Sequence, residues 1–342
     1  MRKLSNELPS GYTIRFAERT DISAIMRFIE KYWKENHILA KDKDFFEYEF
    51  SIHTEKINFV LLLDAEGDIV GILGFIPYDE TNRDIFTVMW KVLEHDEIMF
   101  GGVLLLQYLK EFGECRHIYT SGINEGTRNI YRYLGLQTDN LRHYYRVNKN
   151  MEQHLAVVCE KEKKTESEIR DNGFKMTLVE DVEMFKMKYH PNPNPNQIAK
   201  SSDYIIHRYF EHPRYKYFVY EICEDNVPCN SYIIARIQEH NGSKALRVID
   251  YLGDTYLIEG LSCAIEQLLD ELQCEYIDFY EYGIDDKILE HAGFKRNSID
   301  SKNIIPNYFS PYICQNINIG IVFEKDTNPI IFKGDGDQDR PS

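Results

Sequence analysis

The stretch Val92-Leu93-Glu94-His95-Asp96-Glu97-Ile98-Met99-Phe100-Gly101-Gly102-Val103-Leu104-Leu105-Leu106-Gln107-Tyr108-Leu109 decides how this chain reads. An apolar strand, Ile85-Phe86-Thr87-Val88-Met89-Trp90-Lys91-Val92, feeds it, and a glycine pair opens an apolar helix. A helix start carries unpaired backbone N–H groups at the positive end of the dipole, which makes it a site for a pyrophosphate. A second strand, His117-Ile118-Tyr119-Thr120, then leads to Asn124, Tyr131 and Gly135-Leu136. Asn124 and Tyr131 stand seven apart, so on a helix they share one face.

These residues resemble the GNAT superfamily of acyl-CoA-dependent N-acyltransferases. Its motif reads Val-x-Pro-x-x-Arg/Gln-x-x-Gly-x-Gly/Ala, then a helix, a strand and Asn-x6-Tyr-x3-Gly-Phe. Val92 and Gly102 match the outer spacing, and Asn124, Tyr131 and Gly135 match the second part. Glu94, Glu97, Phe100 and Leu136 depart from the pattern. The resemblance implies coenzyme A, carrying an acyl group, as co-substrate. It assigns cofactor contacts to Trp90, Lys91, Val92, Gly101, Gly102, Val103, Asn124 and Arg128. Amides near Trp90 to Val92 would face the thioester carbonyl, Tyr131 would act as general acid on the sulfur, and Asn124 would hold the pantetheine arm. Glu94 and His95 are the candidates for a base just past the strand.

Working outward toward the amino terminus, Tyr12 to Ala17 alternates as a strand. Thr20 or Asp21 caps a helix whose Ile22, Ile25, Met26 and Ile29 lie on one face. The following Tyr32-Trp33-Lys34-Glu35-Asn36-His37 falls where this family shapes its acceptor pocket, which makes Trp33 and His37 substrate candidates. Ile57 to Leu63 and Asp68 to Tyr78 form a hairpin across Asp64-Ala65-Glu66-Gly67. With a further strand at Arg142 to Val147, the order is that of an α/β domain with a mixed sheet.

Toward the carboxyl terminus, the charged run 160–168 reads as a linker, and Pro191-Asn192-Pro193-Asn194-Pro195-Asn196 as a stiff surface loop. The second half repeats the first half's order faintly. Its helix from Leu257 to Leu272 and strand Tyr276 to Tyr280 end in His291-Ala292-Gly293-Phe294, echoing Tyr133-Leu134-Gly135-Leu136. No glycine pair or Asn/Tyr pair accompanies the repeat. The expected architecture is α/β (α+β): tandem GNAT-like domains, each a mixed, mostly antiparallel sheet flanked by helices, the second copy degenerate. Its expected boundaries are 1–150, a linker at 151–172, and 173–342.

The tail Phe332-Lys333-Gly334-Asp335-Gly336-Asp337-Gln338-Asp339-Arg340-Pro341-Ser342 has aspartates at alternate positions, as a calcium loop begins, but no liganding glutamate downstream. A lone Arg340 among aspartates points to specific pairing, against the alternative of a disordered acidic tail. No metal site is expected.

Composition narrows the function classes. A net charge of −16 without a basic stripe disfavours nucleic acid, because such affinity rests on phosphate neutralisation. Seven cysteines without CxxC spacing read as reduced thiols. No apolar run is long enough to span a bilayer, so no membrane partner and a cytoplasmic location are expected. The whole chain also resembles two-domain GNAT sugar N-acyltransferases of surface-polysaccharide and lipopolysaccharide O-antigen synthesis. That resemblance implies a small-molecule acceptor, a nucleotide-linked (dTDP) amino-deoxy sugar, acylated from acetyl-CoA or a short hydroxyacyl-CoA such as 3-hydroxybutyryl-CoA. Arg208, Arg214 and Tyr215 are the candidates for the diphosphate and base. The alternatives are an acyl-CoA-binding sensor or scaffold, an acyltransferase of peptides or polyamines, and a tRNA-dependent peptidoglycan transferase, which the charge disfavours.

Overall fold

Apolar residues at helical spacing and alternating strand residues set the elements, and the computed structural model describes them over residues 8–51, 56–78, 84–94, 100–158, 173–191 and 198–341. His95, Glu97, Cys159, the charged run and Asn192 to Asn196 lie outside those residues. The chain divides into two compact units. One comprises Met1–Asp139, Gly320–Thr327 and Gly336–Ser342, and the other Asn140–Ile319 and Asn328–Asp335.

In the first unit β1 (Thr13–Ala17) leads through a 3-10 turn at Arg19–Asp21 into α1 (Ile22–Tyr32), α2 (Ile38–Lys41) and α3 (Lys43–Phe50). Ile22, Ile25 and Ile29 of α1 are buried as expected. Asp21 precedes the helix but makes no side-chain cap; its carboxylate instead takes the Arg15 guanidinium at 2.7 Å and the Glu18 N–H at 2.8 Å. The hairpin is β2 (Ile57–Leu63) and β3 (Ile69–Pro77), whose turn is held by Asp64 accepting from the Asp68 N–H at 2.8 Å. Then come β4 (Asp84–Val92), α4 (Gly101–Phe112), β5 (His117–Ile123), α5 (Glu125–Tyr133) and β6 (Gln137–Asn140).

The first sheet has seven strands in the order β1, β2, β3, β4, β5, Gly320–Phe323, β6. β4 and β5 run parallel, so α4 must cross over between them. That crossover buries Val103, Leu105, Leu106 and Leu109 against Val60, Leu62, Val70 and Leu73, which fixes α4 over the sheet.

The strand Arg142–Val147, read from sequence as the end of the first sheet, belongs to the second. It pairs antiparallel with Tyr276–Tyr282 over six positions and with Lys295–Asn297. Its partners explain the placement: His143 meets Asp278 at 3.2 Å, the Tyr144 hydroxyl donates to Asp286 at 2.7 Å, and Arg146 donates to the Ser262 carbonyl at 2.7 Å. The slot beside β5 is filled by Gly320–Phe323 instead.

The second unit's sheet runs Lys295–Asn297, Arg142–Val147, Tyr276–Tyr282, Ser243–Leu252, Val227–His240, Phe218–Glu224, Phe174–Leu178. Ser243–Leu252 and Tyr276–Tyr282 pair in parallel, with helix Ser262–Leu272 between them in the chain, which repeats the β4–α4–β5 unit. The sequence echo holds at the helix ends too. Gly135 and Leu136 donate back to Arg132 and Tyr131, and Gly293 and Phe294 donate back to Glu290 and Leu289. Earlier in this unit, helix Ser202–Ile205 is continued by a π turn, Ile206–Phe210. Among the described residues no helix is long and apolar enough to cross a membrane.

Candidate active site

β4 and β5 stay in register from Asp84↔His117 to Thr87↔Thr120, where the ladder ends although both strands continue. On its other edge β4 steps from Gly74↔Val88 to Ile72↔Lys91, so Met89 and Trp90 oppose the single residue Leu73. This is a β-bulge, with Met89 at φ +51°, and a bulge bends and twists its strand. The divergence leaves a cleft of about 160 Å³. Thr87 to Trp90 line one side, Thr120 to Asn124 the other, and Thr127 and Tyr131 come from α5. Trp33, Asp337 and Gln338 complete the lining.

Thr87 and Thr120, at the last paired position, are both buried and hold their hydroxyls 2.5 Å apart. Tyr131 is buried with its ring 5.2 Å from Trp90. Burial pushes its phenol well above the ordinary value of 10, and hydrogen bonds from Thr120 and Thr87 offset this only in part. Tyr131 is therefore a neutral hydrogen-bond donor at ordinary pH. Asn124, which lines the cleft, caps α5: its side-chain oxygen accepts from the Thr127 N–H at 2.9 Å.

Trp90 lies against the start of α4. Its indole N–H donates to the Gly102 carbonyl at 3.0 Å, and a Cβ on Gly102 would sit 2.8 Å from that nitrogen. Gly102 is thus required first by tryptophan packing. No side chain caps α4, whose preceding residue Phe100 is at φ +68°. Val103 is a core residue whose N–H already donates to the Phe100 carbonyl at 2.9 Å, so the amides left at this end are those of Gly101 and Gly102. Lys91 and Val92 are half-buried on β4, and Glu94 is exposed. Arg128 is buried and held by Glu125 at 3.0 Å and the Asp139 carbonyl at 3.2 Å, a turn-stabilising rather than cleft-lining position.

Trp33 lines the cleft, but His37 does not reach it in the same way: it is the cap of α2, its Nδ1 accepting from the Leu39 N–H at 3.2 Å. Burial, with Arg340 and Lys34 adding to it, pushes its pKa down to about 4, so it is neutral. The tail is ordered by pairing. The Gly336 N–H donates to the Tyr78 hydroxyl at 3.1 Å, and Arg340 is buried against Glu49 at 3.2 Å and Asp337 at 3.3 Å. Gln338 crosses β5 at Gly122, where φ is +79° and a Cβ would lie 2.1 Å from the Gln338 amide nitrogen. Only glycine admits that crossing.

In the second unit Arg208, Arg214 and Tyr215 gather around one aromatic cluster. Arg208 is buried, its guanidinium 5.8 Å from the Tyr209 and Tyr217 rings. Tyr215 stacks on His212 at 5.3 Å and carries the Arg236 guanidinium 3.8 Å from its ring centroid. The Arg214 side chain is exposed, and its N–H donates to His212 at 3.1 Å.

Sequence reading missed Thr87, Met89, Thr120, Asp337 and Gln338 as cleft residues. A lone threonine inside the apolar run Ile85 to Met89 was the available signal for Thr87. Nothing local marks Met89 as a bulge. Asp337 and Gln338 enter the cleft through pairing made more than two hundred positions away in the chain.

No protein-family model matches the sequence, and no curated protein does. Solved structures match the fold. A GCN5-related N-acetyltransferase from Anabaena variabilis superposes with a TM-score of 0.54 at 11% identity, over 91% of this chain and 72% of its own. A probable N-acyltransferase from Enterococcus faecalis gives 0.53 at 9% identity, over 91% and 72%. A GCN5-related N-acetyltransferase from Kribbella flavida gives 0.51 at 10% identity, over 91% and 70%. The chain has the GNAT fold, in a mixed α/β arrangement of two sheets flanked by helices.

Proposed function

We propose that this chain is an acyl-CoA-dependent N-acyltransferase that moves an acyl group from coenzyme A to an amine. The observation that carries the reading is the opening of β4 from β5 beyond Thr87 and Thr120, with the neutral Tyr131 hydroxyl beside it. Coenzyme A, when bound, supplies the acyl group as a thioester. The uncapped start of α4, with the amides of Gly101 and Gly102 at its positive end, fits a pyrophosphate. In this reading the amides of the bulge at Met89 and Trp90 stabilise the oxyanion. Asn124 offers its amide N–H to the pantetheine arm. A thiol of pKa about 8.5 is a stronger acid than the Tyr131 phenol, so Tyr131 serves by donating a hydrogen bond to the departing sulfur.

The acceptor in this reading is the amino group of a nucleotide-linked, dTDP-type amino-deoxy sugar, acylated in the cytoplasm during surface-polysaccharide synthesis. The second unit's cluster of Arg208, Tyr209, Tyr215, Tyr217 and Arg236 supports it by bringing rings and guanidinium groups together. The test is release of free CoA from acetyl-CoA or 3-hydroxybutyryl-CoA with dTDP-amino sugars, free amino sugars, polyamines and peptides. Preference for peptides or polyamines rejects the sugar and keeps the transferase. Tight CoA binding with no release from any amine favours the sensor.

A further inference from the structure

Aromatic, aliphatic and neutral polar residues line most of the cleft, and among the described residues that form it Asp337 carries the only charge. Asp337 arrives on the segment Gly336 to Arg340, which is anchored at both ends within the first unit. Gly336 is tied to Tyr78, and Arg340 is buried between Glu49 and Asp337. Arg340 thus divides its guanidinium between Glu49 and Asp337. The Asp337 carboxylate accepts from the Gln338 amide at 3.1 Å and from Arg340 at 3.3 Å, and its side chain is 18% exposed. An ionised carboxylate has about four lone-pair sites, so two remain for a ligand. Its neighbours at the cleft include Ser121 and the glycine edge at Gly122, and none of the described lining residues is cationic.

We infer that this carboxyl-terminal strap is the recognition element for a positively charged primary amine, which Asp337 binds through its free carboxylate positions. For the transfer step the inference rests on the acyltransferase reading above. The ammonium gives one proton to Asp337, which passes it to water. The nitrogen lone pair forms the new N–C bond at the thioester carbonyl carbon, and the C–S bond breaks. The second proton leaves nitrogen and ends on sulfur, so the products are an amide, a thiol and one proton. The strap thus contributes both the charge that selects the acceptor and a relay for its proton.

The probe is cyclohexylamine, a ring-borne ammonium, against its uncharged twin cyclohexanol. Saturation-transfer NMR measures both on the full chain, and calorimetry measures CoA on the same samples. Wild type and Glu66→Gln, which removes an equal charge on the β2–β3 turn, should bind the amine and not the alcohol. Asp337→Asn should weaken the amine by about tenfold to a hundredfold, the worth of a charge-assisted hydrogen bond, with Asp337→Glu recovering part of it. CoA affinity should be the same in all four. Equal amine binding by wild type and Asp337→Asn, or no preference for amine over alcohol, overturns the inference. Absence of CoA binding in every sample instead rejects the acyltransferase reading and leaves the amine result standing. If Asp337→Asn melts far below wild type, a crystal soaked with cyclohexylamine decides: its nitrogen belongs within hydrogen-bond distance of Asp337, and any other position refutes the assignment.

Discussion

The Trp90 indole nitrogen and the Gly102 carbonyl are joined by a 3.0 Å hydrogen bond, and the ring covers the space where a Gly102 side chain would stand. The two residues are coupled through contact, so their substitutions should not add. Gly102→Ala should destabilise the fold by about 1–3 kcal/mol through overpacking. In a Trp90→Phe background the same change should cost less by at least about 0.5 kcal/mol. Urea denaturation of the four proteins measures this, and additivity would show that the close approach carries no energy.

Tyr131→Phe keeps the ring's contact with Trp90 and removes the hydroxyl beside Thr87 and Thr120. Turnover should fall by roughly a hundredfold in kcat with the melting temperature little changed. Because burial raises the phenol above 10, the hydroxyl stays protonated at every lower pH. The wild-type rate profile should therefore show no alkaline fall from Tyr131 below pH 10, and a Tyr131-dependent limb near neutrality would contradict this.

His37 makes stability depend on acid. Its folded pKa of about 4 lies below the ordinary 6.5, so the folded state favours the neutral ring. The corresponding stability is fully present above pH 6.5 and is lost as pH falls from 6.5 through 4, by about 3 kcal/mol at most. His37→Asn retains a side-chain cap for α2 but cannot titrate there. Chemical denaturation at pH 7, 5.5 and 4 should show a flatter decline in the variant, and parallel curves would reject the linkage.

In the second unit Lys200 is buried between Asp250 at 2.6 Å and Asp335 at 2.8 Å, and the Tyr209 hydroxyl also donates to Asp250 at 2.6 Å. Lys200→Met removes the ammonium that bridges the two carboxylates and leaves them buried together. It should cost about 3–5 kcal/mol, whereas removing all three charges at once should cost much less. Thermal melts of Lys200→Met and the triple variant Lys200→Met/Asp250→Asn/Asp335→Asn compare the two. A triple variant as unstable as the single one would mean that packing, not charge, sets the loss.

The elements that sequence reading placed correctly are those with strong local period: β2, β3, β4, α4, and the helix–strand pair from Ser262 to Tyr282. Their apolar residues decide their state without reference to distant partners. Arg142–Val147 could not be assigned to its sheet in this way, because its alternation is the same whichever sheet it joins; His143 and Arg146 choose partners more than a hundred positions away. The cleft was half legible. Tyr131, Asn124 and Trp90 follow from the resemblance to the family motif, but that motif cannot say that Gly102 serves Trp90 or that Arg128 is held by its own helix. Asp337 was visible only as an odd tail, since its meaning depends on Arg340 meeting Glu49.

The strand Gly320–Phe323 sits inside the first sheet, between β5 and β6, yet is translated long after both of them. A ribosome making this protein releases the first 139 residues long before the strand that completes their sheet exists. Domains usually fold in the order of synthesis, amino-terminal first. Here the nascent amino-terminal unit must wait with the flank of β5 unpaired, an open edge of the kind that invites pairing with another chain. Stop codons or proteolysis near residue 319 would therefore do more than shorten the protein: they would leave its first-made half permanently unfinished and prone to association. Chaperone demand during translation should accordingly be governed by the arrival of Gly320–Phe323 rather than by the composition of residues 1–139.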